Sequence, residues 1–199
     1  MRRDLSHEAT GVEVPGGLFG AIAQLASCRE FKRAAVGVPE TDGGDGSEWL
    51  VAADGIADGD TRETYLRFDA SEAIVAGNAE LHLRVAGRGS DAGTTSFVIE
   101  LMQPPATPWQ EDGLTWSQRP STVLRTGARF TCAAQIGEDL VIDVSDLIQA
   151  AADADILPRT TLRIRSTQSG SQRYVAFDSD EAVGGTPPRL RWLALIGNG

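Results

Sequence analysis

Lysine is nearly missing from this chain: of 18 basic residues, all but Lys32 are arginines. GC-rich coding DNA gives such a bias, and so does a surface that favours planar, hydrogen-bonding cations. Histidine and cysteine occur twice each, as His7, His82, Cys28 and Cys132, with no CxxC and no Cys/His cluster. That excludes the usual structural zinc sites and leaves either one disulfide in an exported chain or two buried thiols. No run approaches the roughly 20 apolar residues of a membrane-spanning helix. Positive charge is in deficit, with 28 acidic residues against 18 basic ones and a net charge of −10. Nucleic acid and anionic membrane surfaces, which attract positive patches, are therefore not expected partners. Catalytic signatures are missing too: there is no GxSxG, HExxH or GxxxxGK. Carboxylate pairs are too numerous in an acidic chain to nominate a glycosidase dyad. No catalytic residue is expected.

What is present reads as β-structure. A length of 199 residues fits one domain with an appended arm. From Trp49 onward, short segments alternate between apolar and polar residues and are separated by turn signals. They are TYLRFD (64–69), ELHLRV (80–85), SFVIELM (96–102), LVIDV (140–144), TLRIRS (161–166), RYVAFD (173–178) and LRWLAL (190–195). Period-2 patterning of this kind predicts an all-β sandwich or barrel. Leu66, Phe68, Leu83, Ile99, Ile142, Ile164, Phe177 and Trp192 are its expected core. One alanine-rich segment, SDLIQAAADAD (145–155), predicts a short peripheral helix with Ser145 as its N-cap.

Residues 1–48 form an arm and linker closed by the Gly/Asp segment 41–47. Within it, Leu18, Ile22, Leu25 and Ala26 share one face of a short helix expected over 17–31. The run ending in Leu25-Ala26-Ser27-Cys28 is similar to a lipoprotein cleavage box. The preceding Asp4, Glu8 and Glu13 oppose an export signal. Two Gly-rich acidic loops, DGGDGSE (42–48) and DGIADGD (54–60), have the oxygen density a calcium ion needs but not EF-hand spacing. Asp54, Asp58 and Asp60 are the candidate ligands of such a structural calcium, with solvated turns as the alternative. Arg67, Arg84, Arg163 and Arg165 point outward from their strands and can donate to an acidic polysaccharide. They can equally pair with the abundant acids.

The order of motifs carries a resemblance. TYLRFD is followed by AELHLRV, then by Trp-x-Glu-x-x-Leu-Thr-Trp-x-x-x-Pro from Trp109 to Pro120. IDVSDLI (142–148), FDSDEA (177–182) and PPRLRW (187–192) come after. Across residues 49–195 this resembles the DNRLRE-type, disaggregatase-related domain, of which some members are carbohydrate-binding modules. Asp180 departs from the pattern, which commonly has arginine there. The resemblance implies an antiparallel β-sandwich of jelly-roll type, with Trp116 packed under the loop and Thr115 and Pro120 fixing the turn. Trp109 is the more exposed of the pair and the candidate ligand contact, and Glu181 is expected to be buried and paired.

Two functional expectations follow. The resemblance implies a non-catalytic, extracellular module that binds a polysaccharide. The alternative is a structural assembly protein, such as a virion, appendage or surface-layer component, that contacts other subunits through residues 1–48. A chain that begins with methionine and lacks a convincing export signal suits the second. A fragment of a larger secreted enzyme would look the same.

Overall fold

The computed structural model describes residues 11–12, 23–27, 31–37, 49–54, 61–71, 73, 78–107, 109, 114, 118–179 and 183–195. Of these, 11–12, 23–27, 31–37, 49 and 193–195 are described in backbone only. The fold is an all-β antiparallel sandwich with one short helix. Among the described residues its strands are β1 (Gly11–Val12), β2 (Ala23–Ser27), β3 (Phe31–Gly37), β4 (Trp49–Ala53), β5 (Arg62–Phe68) and β6 (Asn78–Arg88). There follow β7 (Phe97–Met102), β8 (Val123–Phe130), β9 (Asp139–Asp143), β10 (Thr160–Ser166), β11 (Tyr174–Asp178) and β12 (Arg189–Leu195).

One curled sheet makes both layers, because β6 is long enough to serve each. Its first part pairs with β12 and β9, and its last part pairs with β11. The path then continues through β4, β5, β10, β7 and β8. Every pairing is antiparallel, and alternation along each strand sends one face inward. Leu81, Leu83, Ile142, Leu190 and Trp192 from one layer meet Leu50, Leu66, Phe68, Ile99, Leu162, Ile164, Val175 and Phe177 from the other. All eight expected core residues are in this cluster. Each fully buried aliphatic or aromatic side chain contributes about 1.5–3 kcal/mol relative to exposure.

The helix α1 (Ser145–Asp153) closes the core with Leu147, Ile148 and Ala151. Ser145 does not cap it. Its hydroxyl accepts the Ala79 N–H at 2.9 Å and donates to Asp143 Oδ1, so it ties the helix start to β6 instead.

The N-terminal segment differs from the helix expected over 17–31. Ala23–Ser27 pairs with β12, and Phe31–Gly37 runs along β5. The remainder of that interval lies outside the described residues. The physical reason is the available edges: β12 and β5 each offer a row of unpaired backbone groups, and antiparallel pairing satisfies more of them than an isolated short helix would.

Candidate functional site

Two features stand on the sheet faces that point away from the main core. The first is an ionic cluster on β5, β7 and β10. Cross-strand register sets Arg163 opposite both Tyr65 and Glu100. Arg163 donates from Nε and Nη2 to Glu100 Oε2 at 2.9 and 2.5 Å and from Nη1 to Glu63 Oε1 at 3.3 Å. Arg165 forks onto the same Glu100, with Nε–Oε2 and Nη2–Oε1 both at 3.1 Å. Arg119 Nε and the Tyr65 hydroxyl reach Glu63 Oε2 at 3.1 and 2.6 Å. Burial alone would raise the Glu100 carboxyl, but hydrogen bonds from Arg165 and Arg163, with their charges, outweigh it and hold the group below its ordinary value. Burial, reinforced by Glu63, pushes the Tyr65 phenol well above its usual range. Arg163 and Arg165 are thus both committed to carboxylates; Arg163 is only 9% exposed, while Arg165 stays half-buried.

Trp109 also departs from the expected exposure. It is buried, packed with Tyr65, Met102 and Leu114 in a second apolar cluster outside the main core. The Arg67 guanidinium lies 5.2 Å from the ring centroid and donates Nη1 to the Trp109 carbonyl at 2.9 Å. Arg67 is half-buried, and a cation–π contact contributes about 0.5–2 kcal/mol between the exposed and desolvated extremes. Trp109 is therefore held over the sheet by its packing on Tyr65 and Met102 and by Arg67. Trp116, Thr115, Asp180 and Glu181 lie outside the described residues.

Arg84 belongs elsewhere. It sits on the other layer's part of β6, with Nη1 3.4 Å from Asp139 and Nε 3.9 Å from Asp178. The four arginines expected as one array are divided between two surfaces, because β6 passes from one layer to the other. His82 of β6, half-buried, meets Glu80 at 3.1 Å.

The second feature is a cleft of about 550 Å³ on the outer face of β6, β11 and β4. Its floor is made of small side chains, Val51 and Ala53 from β4, Ala86 and Gly87 from β6, and Ala176 from β11. Tyr174 stands on this floor, half-buried, opposite Ala53. Arg62 and Arg88 stand at its sides. Arg62 is exposed and makes no side-chain hydrogen bond or ion pair among the described residues. Among the described residues Arg88 uses only Nη1, which donates to the Ala133 and Ala134 carbonyls at 3.1 and 2.8 Å. A groove with small residues at the bottom lets a ligand approach the backbone closely, while one aromatic ring and two planar cations fix its orientation.

The cleft rim is braced by Asp54. Its Oδ1 accepts from Thr61 at 2.9 Å, its Oδ2 from Ser169 at 2.8 Å, and its carbonyl from the Gly170 N–H at 2.7 Å. Asp54, expected as a calcium ligand, thus has hydroxyl partners on both carboxylate oxygens. Asp58, Asp60 and the 42–48 loop lie outside the described residues. Gly89 brings the end of β6 against the 170–173 turn; a Cβ there would lie 2.0 Å from the Gln172 carbonyl oxygen.

The cleft escaped the sequence reading because alanine and glycine carry no motif. The one signal available was the pair of strand-end arginines Arg62 and Arg88 with Tyr174 of RYVAFD, which become neighbours only through strand pairing.

A family model for carbohydrate-binding module family 96 matches residues 41–192. The chain belongs to that family. The match spans the strands from β4 into β12 and includes every residue named on the cleft. It supports the carbohydrate-binding-module side of the resemblance and does not favour the assembly reading. A comparison with curated proteins finds no match. Among the described residues no helix is long and apolar enough to cross a membrane, and no group of three or more His, Cys, Asp or Glu residues is placed to hold a metal.

Proposed function

We propose that the protein is a non-catalytic, extracellular carbohydrate-binding module that holds an acidic polysaccharide in the cleft of β6, β11 and β4. One observation carries this reading: Arg62 and Arg88, with Tyr174 between their strands, line a pre-formed groove in which Arg62 has no carboxylate partner among the described residues. Tyr174 gives the apolar face of a sugar ring a surface to stack on. The arginines supply forked, charge-assisted hydrogen bonds to a carboxylate. The other cationic face is already neutralised, since Arg163 and Arg165 close on Glu100. Binding an anion there would require breaking buried pairs.

Shift mapping by NMR with a short oligouronate tests the reading. Amides of Ala53, Arg62, Gly87, Arg88 and Tyr174 move on titration if the cleft is the site. Movement confined to the Arg67–Trp109 surface would reject it.

A further inference from the structure

Ile136 stands on the cleft wall as a large aliphatic side chain that is 64% exposed. A single exposed apolar residue is ordinary on a protein surface, but this one is held in place. The Gly137 N–H donates to Val85 O at 2.8 Å, the Val85 N–H to Glu138 O at 2.9 Å, and the Glu138 N–H to Gln135 O at 3.0 Å. The Gln135 N–H donates to Glu138 Oε2 at 2.8 Å. Gly137 takes φ +85°, which turns the chain directly after Ile136. From the cleft side, Arg88 Nη1 fixes the Ala133 and Ala134 carbonyls of the same segment. Such a turn presents its side chain pre-organised, without an ordering cost on binding.

Position gives the side chain its meaning. The turn is bonded to β6 at Val85, so the cleft runs from Ile136 across β6, β11 and β4 to Arg62 on β5. Three strand steps of about 4.8 Å separate β6 from β5 by roughly 14 Å. The groove has an aliphatic end and a cationic end. On the same cleft wall, where Arg88 Nη1 bonds Ala134 two residues before Ile136, the Nε and Nη2 donors of Arg88 have no partner among the described residues. A methyl contact beside a free N–H donor matches an acetyl ester, whose methyl is apolar and whose carbonyl accepts.

Resting on the reading of the cleft as a saccharide site, we infer that Ile136 and Arg88 form a subsite for an O-acetyl substituent on an acidic polysaccharide whose carboxylate is held at Arg62. Calorimetry with an O-acetylated polyuronate, and with the same polymer after mild alkaline deacetylation, tests it on the full chain. Deacetylation weakens binding to the wild type about fourfold, the equivalent of one buried methyl group at about 0.8 kcal/mol. Ile136→Ser, an exposed change that leaves the melting temperature in place, binds both polymers equally. Arg62→Ala weakens both polymers by the same factor. Equal binding of the two polymers by the wild type, with Arg62→Ala still weakening both, overturns the acetyl subsite and leaves the cleft reading intact. Preference retained by Ile136→Ser also overturns it. Binding of neither polymer overturns the cleft reading and the subsite together.

Discussion

Arg163 shows most clearly how a single side chain decides between structure and recognition. Its guanidinium is shared by Glu63 and Glu100 at short distances in a nearly buried setting. Removing one member of such a group leaves an uncompensated buried charge, which costs about 3–5 kcal/mol. Arg163→Ala is therefore expected to lower stability by that amount in denaturant unfolding while leaving any ligand contact in the cleft in place. The same cluster sets an acid limit. Glu100 is depressed in the folded state, so its contribution is complete above the unfolded value of about 4.3 and is lost as pH falls through the lower folded value. Melting temperatures measured from pH 7 to pH 3 should fall below pH 4.3, and Glu100→Gln should flatten that limb. Residues of this kind were only half legible in the sequence. The alternation of TLRIRS put Arg163 and Arg165 on the side of the strand away from the main core, but there Arg163 is buried and Arg165 half-buried. Which acids they would meet depended on register with β5 and β7, and register is a property of pairing that one strand does not contain. Trp109 was obscured for a related reason: it is buried against Tyr65 on β5, a strand far away in the chain, as well as against nearby Met102.

At the scale of elements, periodicity was informative and contact was not. The positions of β5, β6, β7, β9, β10, β11 and β12 and of the helix at 145–153 follow from local pattern, since an apolar residue every second position requires one buried face, whereas β4 and the largely exposed β8 were not read as strands. The seat of that helix follows from one small residue. A Cβ at Gly127 of β8 would lie 2.6–2.7 Å from the Leu147 side chain, so α1 packs this closely only because 127 is glycine. Gly127→Ala should cost about 1–3 kcal/mol by overpacking, seen as a lower melting temperature with near-native circular dichroism. Leu147→Val beside it should recover part of the loss. Strand β2 falls where a helix was expected because Leu18, Ile22, Leu25 and Ala26 fit a helical stripe, whereas β12 offered an edge that only the assembled sheet reveals, as β5 did for β3. Deleting residues 1–37 should bare both edges and promote association, visible as a concentration-dependent shift in size-exclusion chromatography.

The whole molecule carries a net charge of −10, yet its open cleft is flanked by arginines. Long-range repulsion of an anionic polymer and local attraction at the cleft therefore oppose each other, and only contacts within about a Debye length of 8–10 Å favour binding. Family membership indicates a carbohydrate ligand, and the arrangement of Arg62, Arg88 and Tyr174 supports an acidic one. The most direct measurement compares two ligands on two proteins by titration calorimetry: a polyuronate and its carboxyl-reduced neutral counterpart, against the wild type and Arg62→Ala. The wild type is expected to bind the polyuronate about tenfold more tightly than the reduced polymer, as one charge-assisted hydrogen-bonded contact would give. Arg62→Ala is expected to bind both to the same weak extent. Equal wild-type affinity for the two polymers, or full affinity retained by Arg62→Ala, would contradict recognition of an acidic polysaccharide in this cleft.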